Sequence, residues 1–331
     1  MNFTKAGRNK IAMKIVAAEI DSVGNDIDYG ILKDLGNVIF YPDKITEENA
    51  EKRLNGVEIL VINKSGINES ILEKAPDLKL ICEFATGFDN INIPACTQKG
   101  IKVANVVDYS SASVAQHTFA MFFYLQENLR HYDDFVKSGA YGAQKHFSCL
   151  DRPFSDLEGQ TWGIVGMGNI GKRVAKAAQA FGAKVIFYAS SGYSDCREYE
   201  QVSFDELLAE SDIISLHCPL TDRTRNLINR EAFSKMKKTA YLINVARGAV
   251  VNEQDLYEAL TEDRIRGAGL DVLGMEPIAP GNLLATIADS GKLLITPHMA
   301  WASTQARTRC VVQVGENIRA YINGISRNII N

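Results

Sequence analysis

No apolar run in this 331-residue chain approaches the roughly 18 residues that a membrane-spanning helix needs. Basic residues do not gather either. Lys and Arg number 36 against 40 acidic residues, leaving a net charge of −4 and excluding the basic footprint of a nucleic-acid binder. The six cysteines, Cys82, Cys96, Cys149, Cys196, Cys218 and Cys310, form no C-x-x-C, and none pairs with histidine at zinc-finger spacing. This excludes a disulfide framework and a metal site of familiar spacing, and it points to free thiols in a reducing, cytoplasmic compartment. Met1 to Lys10 are polar and mildly basic, without the apolar core of a secretory signal. Residues 1–12 therefore read as an extension ahead of a first strand that begins near Lys14. No repeat of solenoid period is present. What remains is an ordinary globular composition, 46% apolar and 23% charged, in a chain long enough for about two domains.

The most informative stretch lies halfway along the chain. Trp162-Gly163-Ile164-Val165 reads as a strand, and Lys172-Arg173-Val174-Ala175-Lys176-Ala177-Ala178 as a helix. Between them Gly166, Gly168 and Gly171 fit G-x-G-x-x-G, with Asn169 and Ile170 inside the motif. The order matters, because the motif has a mechanism only at a strand-to-helix turn. The first glycine permits the turn, the second lets backbone approach a pyrophosphate, and the third lets helix and strand pack closely. The helix N-terminus then offers free N–H groups and a positive dipole end to the anion. A glycine turn serving only packing is the bland alternative; the flanking strand and helix favour a dinucleotide.

About 160 residues precede this motif, so another domain must be folded in front. Apolar runs at 15–18, 38–41, 57–62, 78–82 and 102–106 alternate with polar-faced helical stretches, which predicts a parallel, flavodoxin-like unit. Residues 113–129 form one long apolar-periodic helix, with Ser110, Ser111 or Ser113 as N-cap, and 130–159 reads as an irregular loop. Strands are expected at 161–165, 184–188, 213–216, 240–244, 268–271 and 293–296, forming a doubly wound sheet. Ser203 with Glu206 is a capping box for one helix of this half, and Asn252 starts another.

Chemistry collects at the carboxyl ends of the late strands. Arg247 follows the fourth, Asp271 and then Glu276-Pro277 follow the fifth, and His298 follows the last. A guanidinium fork binds a carboxylate bidentately. A histidine can give a proton to a carbonyl oxygen as hydride arrives on carbon, and a neighbouring carboxylate favours its imidazolium form. Singly, Arg247 would serve as a surface ion pair, Glu276-Pro277 as a turn, Asp271 as a helix cap and His298 as a core histidine. Together on the ligand edge of a dinucleotide fold they suit reduction of a 2-keto acid.

These motifs resemble, in order and over nearly the whole chain, the D-isomer-specific 2-hydroxyacid dehydrogenase family. Gly163 to Gly171 is similar to its cofactor signature. Leu216-His217-Cys218-Pro219-Leu220-Thr221 through Thr224 is similar to the segment under the adenine and nicotinamide ribose. Asn244-Val245-Ala246-Arg247-Gly248 resembles the substrate-arginine motif, Asp271 through Glu276-Pro277 the glutamate motif, and Thr296-Pro297-His298 the histidine motif. The resemblance implies Arg247, Glu276 and His298 as catalytic residues. It implies Gly166, Gly168, Asn169, Ile170, Gly171, Ala189, His217, Cys218, Pro219, Thr224, Val245, Asp271 and His298 around the cofactor. Asp271 is also implied as a supporting acid. It implies a Rossmann cofactor domain (109–298) inserted into a flavodoxin-like substrate domain (1–108 and 299–331), with substrate in the cleft, and a homodimer touching through the helix at 113–129. No metal is implied.

Within the family the glycerate dehydrogenase (hydroxypyruvate reductase) branch is most similar, through Asn63-Lys64, Ala85-Thr86-Gly87-Phe88-Asp89-Asn90, Tyr109-Ser110, Ser113-Val114-Ala115-Gln116-His117 and His298-Met299-Ala300-Trp301. That implies hydroxypyruvate or glyoxylate as substrate, with Lys64, Thr86, Gly87, Arg247 and Trp301 around it. Interdomain packing is the other reading of Trp301. Glu276, where the formate-oxidising branch has glutamine, argues against formate. D-lactate or branched D-2-hydroxy acids are the alternative substrates, and a dinucleotide-sensing corepressor-like protein is the alternative of another class. One position departs from the NAD pattern. An acid is normally found about 20 residues after the fingerprint, on the ribose hydroxyls. Here that place is Ala189, followed by Ser190 and Ser191, with Arg197 the nearest following arginine. NAD is expected, with NADP left open.

Overall fold

The computed structural model describes residues 13–331, so the expected N-terminal extension lies outside the described residues. The chain divides into two compact units. One runs to Ser110 and resumes at Ala302–Asn331, and the other spans Ser111–Trp301.

In the first unit, β1 (Ile15–Ala17), β2 (Val38–Phe40), β3 (Ile59–Ile62), β4 (Leu80–Glu83) and β5 (Lys102–Ala104) lie parallel in the order β2-β1-β3-β4-β5. This is the flavodoxin-like order. Helices cover both faces of such a sheet, which is why β3 and β4 are buried at every position. The last helix, Thr304–Ile322, adds Cys310, Val311, Val314 and Ile318 to the buried set. Arg307 near its start grips both carboxylate oxygens of Asp26, at 2.6 and 2.9 Å, and the Val23 carbonyl at 3.0 Å. Beyond the helix, Ile329 bridges Ala104 in antiparallel fashion.

The second unit holds β6 (Thr161–Val165), β7 (Lys184–Tyr188), β8 (Glu200–Gln201), β9 (Ile213–Leu216), β10 (Tyr241–Asn244), β11 (Gly267–Leu270) and β12 (Leu293–Ile295). The order is β12-β11-β10-β9-β6-β7-β8, all parallel. The chain steps outward from β6 to β8, then returns to β9 on the other side. That reversal opens the crevice in which doubly wound sheets hold ligands, at the carboxyl ends of the strands. Alternate strand residues feed two cores. Ile164, Ile213 and Ile243 pack with the helix Ser111–Gln126, whereas Val165, Ile214 and Leu242 pack beneath Leu207, Phe233 and Leu256. Trp162 anchors the first core, its ring 4.6 Å from Phe119 and 5.1 Å from Phe122.

Two local expectations need correction. The segment read as an irregular loop contains helices Leu129–Lys137 and Ala140–Ala143. The first of these is braced by the i,i+4 pairs Arg130–Asp134 and Asp133–Lys137 and places Leu129, Tyr132 and Val136 at helical spacing on one face, yet it buries no residue in this chain. β8 was also missed: it is two exposed polar residues on a sheet edge, too short for any alternation to register.

The third fingerprint glycine sets a packing limit. A Cβ on Gly171 would stand 2.3 Å from the Gly166 carbonyl oxygen, a backbone atom that cannot rotate away. Gly171→Ala is expected to cost about 1–3 kcal/mol, as overpacking does. Urea unfolding checks this, and an unchanged midpoint would show that helix and turn are not in tight contact.

Candidate active site

The fingerprint turn is shaped by its neighbours. Gly166 has φ +96°, and a Cβ there would lie 2.9 Å from the backbone carbonyl of His217 at the end of β9. Nothing stands within 4 Å of where a Gly168 Cβ would be, so the backbone opens onto space where the helix Asn169–Ala180 begins. The first-turn amides of that helix have no intrahelical partners, and with the open approach at Gly168 they fit a pyrophosphate. Asn169 lies exposed and Ile170 half-buried on the same turn.

Beside this turn sits a relay that fixes one histidine. Trp162 Nε1 can only donate, and it reaches Ser215 Oγ at 2.8 Å. Ser215 Oγ also lies 3.0 Å from His217 Nε2 and joins it to the relay. His217 Nδ1, by contrast, is an enclosed atom with no hydrogen-bond partner among the described residues. Burial pulls this imidazole down to about 3, so it is neutral. Cys218 is buried and its thiol is pushed up to about 11 by burial, while Pro219 is exposed. Thr224 spends its hydroxyl on closing its own loop, accepting from the Thr221 amide at 2.7 Å and donating to the Pro219 carbonyl at 2.6 Å.

At the end of β10, Asn244 staples the arginine turn. Its side chain accepts from the Ala246 amide at 3.0 Å and donates to the Arg247 carbonyl at 3.0 Å. Val245 is buried in between, and Arg247 Nη1 donates to the Ala246 carbonyl at 2.8 Å. A Cβ on Gly248 would fall 1.9 Å from the Leu273 carbonyl carbon, so only glycine lets this turn press against the loop that carries Glu276. In that loop the Leu273 amide donates to Glu276 Oε1 at 2.9 Å. Glu276 Oε2 meets His298 Nδ1 at 2.7 Å. The pair is partly exposed, and His298 Nε2 has no protein hydrogen bond among the described residues.

Asp271 lies just past β11 and is 1% exposed. Oδ1 accepts from Thr296 Oγ1 at 2.6 Å and the Met299 amide at 2.7 Å, and Oδ2 accepts from the Ala300 amide at 2.8 Å. Burial pushes this carboxyl upward, but hydrogen bonds from His117, Thr296, Ala300 and Met299 outweigh it and hold the group below the usual carboxylate range.

The NAD-type acid is replaced by buried Ala189, one residue beyond β7. Arg197 is exposed on the following loop. Lys172, a residue not singled out from the sequence, comes to the same loop, its Nζ 3.3 Å from Asp195 Oδ1.

In the first unit a buried acid orders the loop after β3. Glu19 accepts from the amides of Asn63, Lys64 and Ser65 at 2.8–3.0 Å and from Ser65 Oγ at 2.6 Å. No local pattern marks Glu19, because its partners lie more than 40 positions away. After β4, Thr86 donates to the Val106 carbonyl at 2.6 Å, next to half-buried Gly87. A cavity of about 1180 Å³ opens at the opposite, amino-terminal edge of the seven-stranded sheet, lined among others by Gln160, Asp212, Tyr241, Arg266 and Lys292. No expected site residue lines it.

Residues 119–300 match the family described as D-isomer specific 2-hydroxyacid dehydrogenase, NAD binding domain. The chain is 38% identical over 290 residues to a glycerate dehydrogenase of Methylorubrum extorquens, covering 88% of this chain and 90% of that protein. It is 33% identical over 313 residues to a hydroxypyruvate reductase of Blautia hydrogenotrophica, covering 92% and 95% respectively. Among solved structures, the D-lactate dehydrogenase of Aquifex aeolicus, complexed with NAD and lactic acid, superposes with a TM-score of 0.82 at 33% identity. That match covers 96% of this chain and 99% of the other.

The enclosed Nδ1 edge of half-buried His217 has a pH signature. Its folded-state affinity for protons lies far below the unfolded value near 6.5, so the stability tied to it is complete above pH 6.5 and is lost on acidification toward 3. In NMR its imidazole is expected to show no titration between pH 8 and 4.5. A midpoint near 6.5 would contradict the enclosed, neutral ring.

Proposed function

The chain belongs to the D-isomer-specific 2-hydroxyacid dehydrogenase family, and from that premise we propose that it reduces hydroxypyruvate or glyoxylate to D-glycerate or glycolate, or runs the reverse reaction. It is an NAD(P)-dependent enzyme acting on 2-keto and 2-hydroxy acids. The 2.7 Å pairing of Glu276 with His298, at the carboxyl edge of the dinucleotide sheet, carries the assignment of the reacting groups. Bound NADH supplies the hydride. His298, oriented through Nδ1, gives the carbonyl oxygen its proton from Nε2. Glu276 holds the ring and balances its charge while it is protonated. Arg247 takes the substrate carboxylate with its planar fork. We assign Lys64, Thr86, Gly87 and Trp301 to the substrate. The indole following the His298 loop disfavours a phosphorylated acid. The two-domain roles follow the same reading, with 109–298 holding the cofactor and 1–108 with 299–331 the substrate.

A homodimer is the proposed assembly. The helix first expected to make the contact, Ser111–Gln126, buries nine of its residues in its own unit. Instead, Val136, Tyr141, Phe147, Leu150 and Phe154 are exposed on the segment that follows, Phe147 at 91%. Apolar side chains gathered this way favour a protein partner, and a second copy is the simplest. All six cysteines are free, five of them buried, which suits a cytoplasmic location. No described helix is long and apolar enough to cross a membrane.

Oxidation of NADH should be seen with hydroxypyruvate and glyoxylate, and more weakly with pyruvate, 2-ketoisocaproate and 3-phosphohydroxypyruvate. His298→Ala should lower kcat by about 10²–10⁴-fold while NADH binding persists. Wild-type turnover in that variant would remove His298 from the reaction, and no turnover by the native protein on any of these acids would favour the dinucleotide-sensing alternative.

For the cofactor, Ala189 leaves no carboxylate to repel a 2′-phosphate, so NADH is expected to be preferred only modestly and NADPH to be used measurably. Ala189→Asp should raise the NADH:NADPH ratio of kcat/KM by about tenfold or more, equivalent to about 1.4 kcal/mol. A native enzyme that strongly prefers NADPH would defeat this view and direct attention to Lys172.

A further inference from the structure

Ser113 and His117 have no role in the scheme above, yet both reach toward the loop that carries His298. They stand four residues apart on the helix Ser111–Gln126 and so share one face. Ser113 Oγ donates to the Ala300 carbonyl at 2.6 Å. His117 Nε2 lies 3.1 Å from Thr296 Oγ1 and 3.4 Å from Asp271 Oδ1. The single hydrogen of Thr296 is committed to Asp271 at 2.6 Å, so the Thr296 oxygen can only accept from His117. His117 therefore donates from Nε2.

The loop they hold makes few other choices possible. His298 sits at φ +55°, in the left-handed region that non-glycine residues enter uncommonly. Its amide donates to the Asp271 carbonyl at 2.9 Å, and the next two amides donate to the Asp271 carboxylate. Asp271 thus fixes the loop from beneath, and the helix fixes Asp271, Thr296 and Ala300 from the side. The helix is itself rigidly seated, with Val114, Ala115, Phe119, Met121, Phe122 and Leu125 in the core.

We infer that Ser113 and His117 are positioning residues, which set the His298 imidazole for proton transfer by clamping residues 296–300 to a core helix. The inference rests on His298 being the proton donor. Its content is geometric: the amide-like donor at Nε2 of His117 matters, and not the charge of the ring. A ring displaced by a fraction of an ångström still binds its substrate but transfers its proton poorly, so kcat should fall and binding should not.

The test uses the full-length enzyme and four variants, with thermal unfolding, NADH dissociation constant, KM for hydroxypyruvate and kcat measured for each. His117→Leu is expected to lower kcat by about 10- to 100-fold, with NADH affinity and KM within about twofold of native. His117→Gln, whose Nε2 can donate from nearly the same place, should restore most of that loss. Ser113→Ala, a mild change that keeps the helix, should lower kcat several-fold. His298→Ala is the separate control on the underlying reading. If His298→Ala is inactive but His117→Leu and Ser113→Ala keep native kcat, the clamp is refuted while the proton donor stands. If kcat in His117→Leu falls only together with melting temperature and NADH affinity, or if Gln fails to rescue it, positioning through the donor is likewise overturned. If His298→Ala is active, it is the reaction scheme that fails.

Discussion

One buried carboxylate governs the geometry at the carboxyl edge of the seven-stranded sheet. Asp271 is withdrawn from water, which by itself opposes its charge. It keeps that charge because donors from three places close around it: a threonine on the neighbouring chain segment, two successive backbone amides, and a histidine from the long helix. Backbone amides cannot turn away to another partner as side chains can. The anion therefore specifies a single path for residues 296–300, and with it the direction in which His298 leaves the backbone.

The parallel sheet explains why so much chemistry converges there. Every strand of the second unit delivers its carboxyl end to the same edge, so Gly166, His217, Arg247, Asp271 and His298 meet although they are spread over 133 positions of sequence (166 to 298, inclusive). Close backbone contacts then adjust the meeting. Gly166 presses against the carbonyl of His217, and Gly248 against that of Leu273. Both contacts are too short for any side chain, and each brings together turns from different strands.

Much of this was legible beforehand. Strands with continuous apolar runs, such as β6 and β9, stood out because both of their faces are buried. The fingerprint, the arginine turn and the glutamate and histidine motifs were readable because each joins a chemical group to a strand end. What escaped notice has a common physical cause: its meaning lies in long-range pairing. Glu19 looks like any acid near a strand until its carboxylate is seen wrapped by amides of another loop. His117 reads as one polar position on an apolar helix until Thr296 is placed opposite it. The helix Leu129–Lys137 buries no residue in this chain and leaves Leu129 and Val136 exposed, so its apolar positions join neither core.

The interruption of the first unit by the second has a consequence for the order of events during synthesis. A chain emerging from the ribosome presents residues 15–110 long before Thr304–Ile322 exists, and that last helix supplies Cys310, Val311, Val314 and Ile318 to the unit's interior, packed so closely that a Cβ on Gly315 would touch Ile31 at 2.8 Å. The inserted unit has all its strands by residue 295 and can close first. The earlier segment must wait, its apolar surface uncovered for the time needed to translate nearly two hundred further residues, at roughly 5–20 residues per second. For this chain the nascent state most in need of a chaperone is thus the segment 15–110, made earlier, and not the later-made inserted unit.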